Sequence, residues 1–259
     1  MWSDVVDLEA FYASRLGETA GGVLRGLLRR TWPEVEGQTI AGYGYPLPFL
    51  EAWTGQARSL VALMPAPQGV VGWPSEGPNR SCLVEEEHLP LADLSLDRLL
   101  LVHALEHAER PAALLREAWR VLQAEGRLLI VVPNRRGLWA RLDRTPFGWG
   151  RPFSRVQVER LLSDMLFEEV SAQRSLYLPP SERAWMQRTA GAWEKVGQRC
   201  YPRFGGVIVI EARKRVLGLI GGTPARARAV RVLPGLAARP STAAAETALE
   251  KRRDAPTDA

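Results

Sequence analysis

Residues 99–111 read LLLVHALEHAERP and hold two of the chain's three histidines, His103 and His107, with Glu106 between them. On one continuous helix, positions four apart share a face. This H-x-x-E-H spacing could then bring two imidazoles to a zinc ion while the carboxylate activates a water, the pattern of inverted zinc peptidases. The preceding DRLLLV argues against such a helix. It is an apolar run bounded by Ser95 and His103, the mark of a buried strand that ends at His103. A zinc enzyme also needs a third ligand, and the remaining histidine, His88, sits near Pro90 in a loop without supporting spacing. The residues therefore predict no metal, and they place His103 at a strand tip.

The elements that must position His103 follow from apolar periodicity. Short apolar runs at 38–41, 59–63, 81–84, 97–102, 127–132, 168–174 and 206–212 alternate with helical stretches, the βαβ rhythm of an α/β protein with a parallel sheet. Residues 110–122 present one helical face through Leu114, Leu115, Ala118, Trp119 and Leu122, with Glu125-Gly126 as the stop. Ser154 is the expected N-cap of a helix over 156–165. Before the first strand, Leu8, Phe11, Tyr12, Leu16, Val23, Leu24, Leu27 and Leu28 recur at helical spacing, with an interruption expected at Gly21-Gly22. Residues 1–36 thus read as a helical flank. Pro179, Pro180, Pro202 and two tryptophans mark a substrate-facing insertion between the last two strands, to which no helix is assigned. The Ala-, Pro-, Arg- and Thr-rich residues 216–259 cannot bury enough apolar surface to offset ordering entropy and are expected to form a disordered basic tail.

Composition narrows the function classes. The 259 residues suffice for one domain with an appendage. No apolar run nears the roughly 20 residues that span a bilayer, and the N-terminal text lacks a signal-peptide pattern, so a cytoplasmic location is expected. Cys82 and Cys200 lie far apart and read as two reduced thiols. The net charge of +5 comes from the tail: residues 1–212 carry 24 Lys or Arg against 25 Asp or Glu, and residues 213–259 carry ten against four. Three lysines beside 31 arginines reflect base composition more than phosphate recognition.

The text LPLADLSLDRLLLVHALEH followed by LLREAWRVLQAEGRLLIVVPN resembles the second half of the class I S-adenosylmethionine-dependent methyltransferase domain, in the subgroup that often acts on small molecules. The matching features are Leu89-Pro90, Asp97, Leu105-Glu106-His107, Arg120-Val121-Leu122 and Gly126. GRPFSRVQVERLLSDMLFEEV and FGGVIVIEARK resemble the same family's sixth-strand unit and its terminal antiparallel strand, so the likeness covers residues 37–215. The resemblance implies a Rossmann-like open twisted sheet of about seven mostly parallel strands, helices on both faces, and S-adenosylmethionine bound where strand order reverses.

On that resemblance Gly42, Tyr43 and Gly44 form the turn after the first strand, and glycines there would let the backbone approach the methionine part of the cofactor. Glu85 matches the acid that accepts from the adenine amino group, with Glu86 beside it, and His103 faces the sulfonium or the substrate. His103 is then the candidate catalytic base wherever the acceptor needs deprotonation. Glu106 and His107 are expected to begin the following helix. The chain departs from the pattern with Ile40 and Pro46 where an acid and a third glycine stand, and with Met64-Pro65 where an acid would bond the ribose. These departures motivate an alternative, a methyltransferase-like binding or scaffolding protein.

After the fifth strand, arginines alternate with aromatic residues over 135–155. Arg135, Arg136, Trp139 and Trp149 are the expected substrate contacts, suited to a small anionic or planar molecule through bidentate bonds and stacking. A single-stranded nucleic acid is the less favoured partner.

Overall fold

The computed structural model describes residues 2–215; the expected tail, 216–259, lies outside the described residues. The chain runs through helices α1 (Val5–Ala13) and α2 (Arg15–Thr31), strand β1 (Thr39–Gly44), short helix α3 (Leu47–Leu50), and strands β2 (Ser59–Pro65), β3 (Ser81–Val84) and β4 (Leu96–Val102). Helix α4 (Pro111–Val121), strand β5 (Leu122–Pro133), helix α5 (Arg155–Asp164), strand β6 (Phe167–Ser175), helices α6 (Ala184–Arg188) and α7 (Ala190–Cys200), and strand β7 (Val207–Lys214) complete it. One seven-stranded sheet has the order β3-β2-β1-β4-β5-β7-β6. Its first five strands are parallel, and β7 pairs antiparallel with both β5 and β6. Strand order therefore reverses between β1 and β4, where Gly44 pairs with Val102.

Both faces of the sheet are covered, which explains the unbroken apolar runs. Ile40, Leu100, Val102, Leu129 and Val131 pack with α1, α2 and α3 on one side. Ala41, Leu99, Leu101, Leu128 and Ile130 pack with α4 and α5 on the other. Leu99 through Val102 are completely buried. Each such side chain contributes about 1.5–3 kcal/mol. That outweighs the roughly 1–3 kcal/mol of a non-glycine residue in the left-handed region, which is where the chain places His103, at φ +50°, directly after β4.

Local chemistry sets the boundaries. The N-terminal helical run breaks at Ser14, not at Gly21-Gly22, which lie inside α2. Ser14 is extended; its hydroxyl donates to Phe11 O at 2.6 Å and accepts from Gly17 N at 3.1 Å, so it ends one helix and caps the next. A Cβ on Gly17 would stand 1.9 Å from Phe11 O, and only glycine lets the two helices join so tightly. Both helices share a core with the sheet through Leu8, Leu24 and Leu28. Ser154 and Gln157 form a reciprocal capping box on α5. α4 ends at Val121, ahead of Glu125-Gly126: Leu122 already pairs with Leu96, and residues 123–126 form an irregularity within β5. The insertion between β6 and β7 contains α6 and α7. No helix among the described residues is long and apolar enough to cross a membrane.

Candidate active site at the strand-order reversal

His103 leaves the carboxyl end of β4 with its ring buried, and Tyr12 Oη of α1 lies 2.7 Å from its Nε2. Its other nitrogen, Nδ1, is 3.4 Å from Glu106 Oε1. That approach lacks hydrogen-bond geometry: among the described residues, neither Nδ1 nor either carboxylate oxygen of Glu106 has a hydrogen-bond partner. Glu106 and His107 do not begin a helix. They sit in a tight turn closed by His107 N and Ala108 N donating to Ala104 O, both at 3.0 Å, and α4 starts only at Pro111. Glu106 is buried under Gly150, where a Cβ would come within 2.6 Å of Glu106 Cγ. Arg151 N donates to Glu106 O at 2.9 Å, fixing that closure.

Burial works to raise the Glu106 pKa, and the adjoining His103 and His107 outweigh it, so the carboxyl is held below its ordinary value. Burial, then Tyr45 and Glu106, push the Tyr12 phenol well above its ordinary value, which keeps it a neutral hydrogen-bonding group. Tyr45 stacks on Tyr12 at 5.6 Å, and Phe147 lies 4.9 Å from the His103 ring. His103, Glu106 and His107 present one ligand-type atom each within 4.8 Å of one another.

Gly42, Tyr43 and Gly44 do not form a turn after the first strand but are the last three residues of β1, where the two glycines serve the protein's own packing. A Cβ on Gly42 would stand 2.3 Å from Pro46 Cβ, and one on Gly44, at φ +94°, would stand 2.2 Å from Val102 O. The space that the two glycines leave is thus filled by Pro46 and by the end of β4. Tyr43 is buried between them, and its hydroxyl has no partner among the described residues. Gln68, after β2, donates to Gly44 O at 2.8 Å.

Beyond the ends of β2 and β3, a cavity of about 640 Å³ is lined by Trp2, Pro67, Glu85, Glu86, Glu87, His88 and Glu109. Glu86 accepts from Trp2 Nε1 at 3.1 Å and from Glu109 N at 2.8 Å. The Glu85 side chain is exposed, 3.8 Å from His88 Nδ1. Trp2 separates this cavity from the buried cluster, its ring 5.7 Å from His107 and 6.2 Å from Tyr43. Ser3 Oγ lies 3.4 Å from His107 Nε2.

The four expected substrate contacts are dispersed. Trp139 is fully buried, donates to Leu178 O at 2.7 Å and packs edge-on against Phe147. Trp149 donates to Asp143 O, and Arg135 Nη2 donates to Pro152 O at 3.3 Å. Arg136 lines a separate cavity of about 310 Å³ with Arg141, Tyr177, Trp193, Tyr201 and Phe204. Sequence reasoning did not single out Trp2, Ser3 or the hydroxyl of Tyr12. Tyr12 was visible only as an apolar position on a helical face, and its partner lies 91 residues away.

Comparison with known proteins agrees with this architecture. A methyltransferase-domain family model matches residues 42–130. An uncharacterized protein of Escherichia coli, YafS, is 34% identical over 142 residues, 51% of this chain and 54% of that protein. The chain thus aligns with about half the length of that curated relative. Among solved structures, an S-adenosylmethionine-dependent methyltransferase from Thermotoga maritima superposes with a TM-score of 0.58 at 17% identity, covering 82% of this chain and 96% of the other. One from Archaeoglobus fulgidus superposes at 0.54 and 18% identity, covering 80% and 97%. Residues 42–130 thus match the methyltransferase-domain family model, and the sheet that carries them has the fold of the class I S-adenosylmethionine-dependent methyltransferases.

Proposed function

We propose that the chain is an S-adenosylmethionine-dependent methyltransferase acting on a small-molecule acceptor. The observation that supports this most is the acidic cavity beyond β2 and β3, on the carboxyl side of a parallel sheet whose strand order reverses next to it. Its chemistry fits the nucleoside half of the cofactor: the Glu85, Glu86 and Glu87 carboxylates accept from an adenine amino group or from ribose hydroxyls. When bound, the cofactor supplies a methyl group already activated on a sulfonium. The methionine half does not fit the arrangement seen here, because Pro46 fills the space at Gly42 while Trp2 and Tyr12 close the approach to His103. Binding of the whole cofactor therefore requires residues 2–13 to withdraw.

That same closure favours a second reading, a methyltransferase-like binding protein without catalysis. Calorimetry with S-adenosylmethionine and S-adenosylhomocysteine separates the two. Micromolar affinity supports the enzyme; absence of heat at millimolar ligand supports the binding protein. For the acceptor, the cavity beside Arg136 and Arg141 suits an anionic molecule with an aromatic or apolar body. His103 is the group nearest the reversal point able to take a proton. Labelled-methyl transfer to a metabolite extract identifies the acceptor.

A further inference from the structure

We propose that His103, Glu106 and His107 form a binding site for one divalent transition-metal ion of the zinc class. No helix is needed for this. The turn after β4 gathers two imidazoles and a carboxylate that H-x-x-E-H spacing was expected to unite only on a helix, and all three side chains are buried.

The polar groups of the cluster are arranged as a cation's ligands would be. With hydrogen on Nε2, His103 donates to Tyr12 Oη, and its Nδ1 lone pair then faces the Glu106 carboxylate, two acceptors 3.4 Å apart with nothing between them. With hydrogen on Nδ1, alone or in an imidazolium that would itself set a positive charge 3.4 Å from Glu106, the direction toward the carboxylate lacks hydrogen-bond geometry, and both carboxylate oxygens still have no hydrogen-bond partner among the described residues. A buried carboxylate in that condition costs several kcal/mol unless a cation sits against it. The 3.4 Å separation is the span of two ligands on one ion: at about 2.0–2.1 Å from a tetrahedral metal, neighbouring ligand atoms stand roughly 3.3–3.5 Å apart. The widest separation in the trio, up to 4.8 Å, closes by roughly 1.4 Å once the ion is in place.

The surroundings match a ligated centre. Tyr12 holds the far nitrogen of His103, the outer-shell contact that fixes an imidazole's tautomer and aim. Two nitrogens and one carboxylate favour zinc or iron(II) over the hard ions magnesium and calcium. Three protein ligands leave a coordination position free. Trp2, which lines the acidic cavity and lies 5.7 Å from the His107 ring, marks the entry side.

The test uses the full chain, stripped with a chelator, dialysed and titrated with zinc ion alone, with metal content read by plasma emission. One zinc per chain is expected, with Glu106→Gln abolishing stoichiometric binding and Tyr12→Phe weakening it by about 10- to 100-fold. His88→Ala, at an exposed histidine, keeps the full stoichiometry. Absence of stoichiometric binding by the native chain, full binding by Glu106→Gln, or loss in His88→Ala overturns the site. Should Glu106→Gln fail to fold, zinc X-ray absorption on the native chain decides: imidazole scattering with no sulfur supports the assignment, and sulfur from Cys82 or Cys200 overturns it. Zinc and cofactor binding are read separately, so a chain that binds zinc and not S-adenosylmethionine sustains one and defeats the other; a zinc ion on His103 Nδ1, with Nε2 held by Tyr12, withdraws only that ring's role as proton acceptor.

Discussion

Tyr12 of the first helix and His103 at the tip of β4 meet through a 2.7 Å hydrogen bond, both buried. That bond ties the N-terminal helix to the point where strand order reverses. Replacing Tyr12 with Phe removes the hydroxyl and leaves His103 Nε2 buried without this partner. A loss of about 1–3 kcal/mol in urea unfolding is expected. A stability within a few tenths of wild type would show that water replaces the bond at no cost.

Trp2 walls off the acidic cavity from His107. Trp2→Ala should lower the dissociation constant for S-adenosylhomocysteine, read by calorimetry on the full chain, because less closure has to be undone before the ligand enters. Unchanged or weaker binding would count against Trp2 as a gate.

Gly42 and Pro46 occupy one another's space, with 2.3 Å between a Cβ built on Gly42 and the proline Cβ. Gly42→Ala is expected to destabilise by about 1–3 kcal/mol through overpacking. Pro46→Gly added to it should recover part of that loss, a coupling visible in a double-mutant cycle. Strict additivity of the two changes would separate the glycine from the proline.

Glu117 on α4 holds the loop that leads into β4. It accepts from Arg120 Nη2 at 2.7 Å and from Leu89 N at 3.0 Å, and the Arg120 bond, opposed by some desolvation, keeps its pKa below the ordinary 4.5. A carboxyl whose folded pKa is depressed stabilises the fold above its unfolded value and loses that contribution as pH falls through the folded value. The stability gap between wild type and Glu117→Gln should therefore be full at pH 7 and shrink below about pH 4.5. A gap that stays constant into acid would mean that the bond contributes by shape rather than by charge.

Some of this was legible in the residues and some was not, and the difference is one of range. The strand at 81–84 and the cap at Ser154 were read correctly because each depends on neighbours within a few positions. α4 ends at Val121, within one residue of the expected 122, whereas the break expected at Gly21-Gly22 falls at Ser14, because glycine alone does not interrupt a helix that packs on both sides of it. Gly21 and Gly22 stay helical within a packed helix, while Ser14 supplies a competing hydrogen bond.

By itself the sequence determined the α/β architecture, the buried fourth strand and the position of His103 at its end, since apolar period and run length act locally and survive any tertiary arrangement. Only the tertiary structure decided that Glu106 and His107 turn back onto His103, that Tyr12 and Trp2 close over them, and that Pro46 fills the space at Gly42. Those contacts join residues up to 105 positions apart, as between Trp2 and His107. Their geometry is set by how α1 packs on the sheet, which no local pattern encodes.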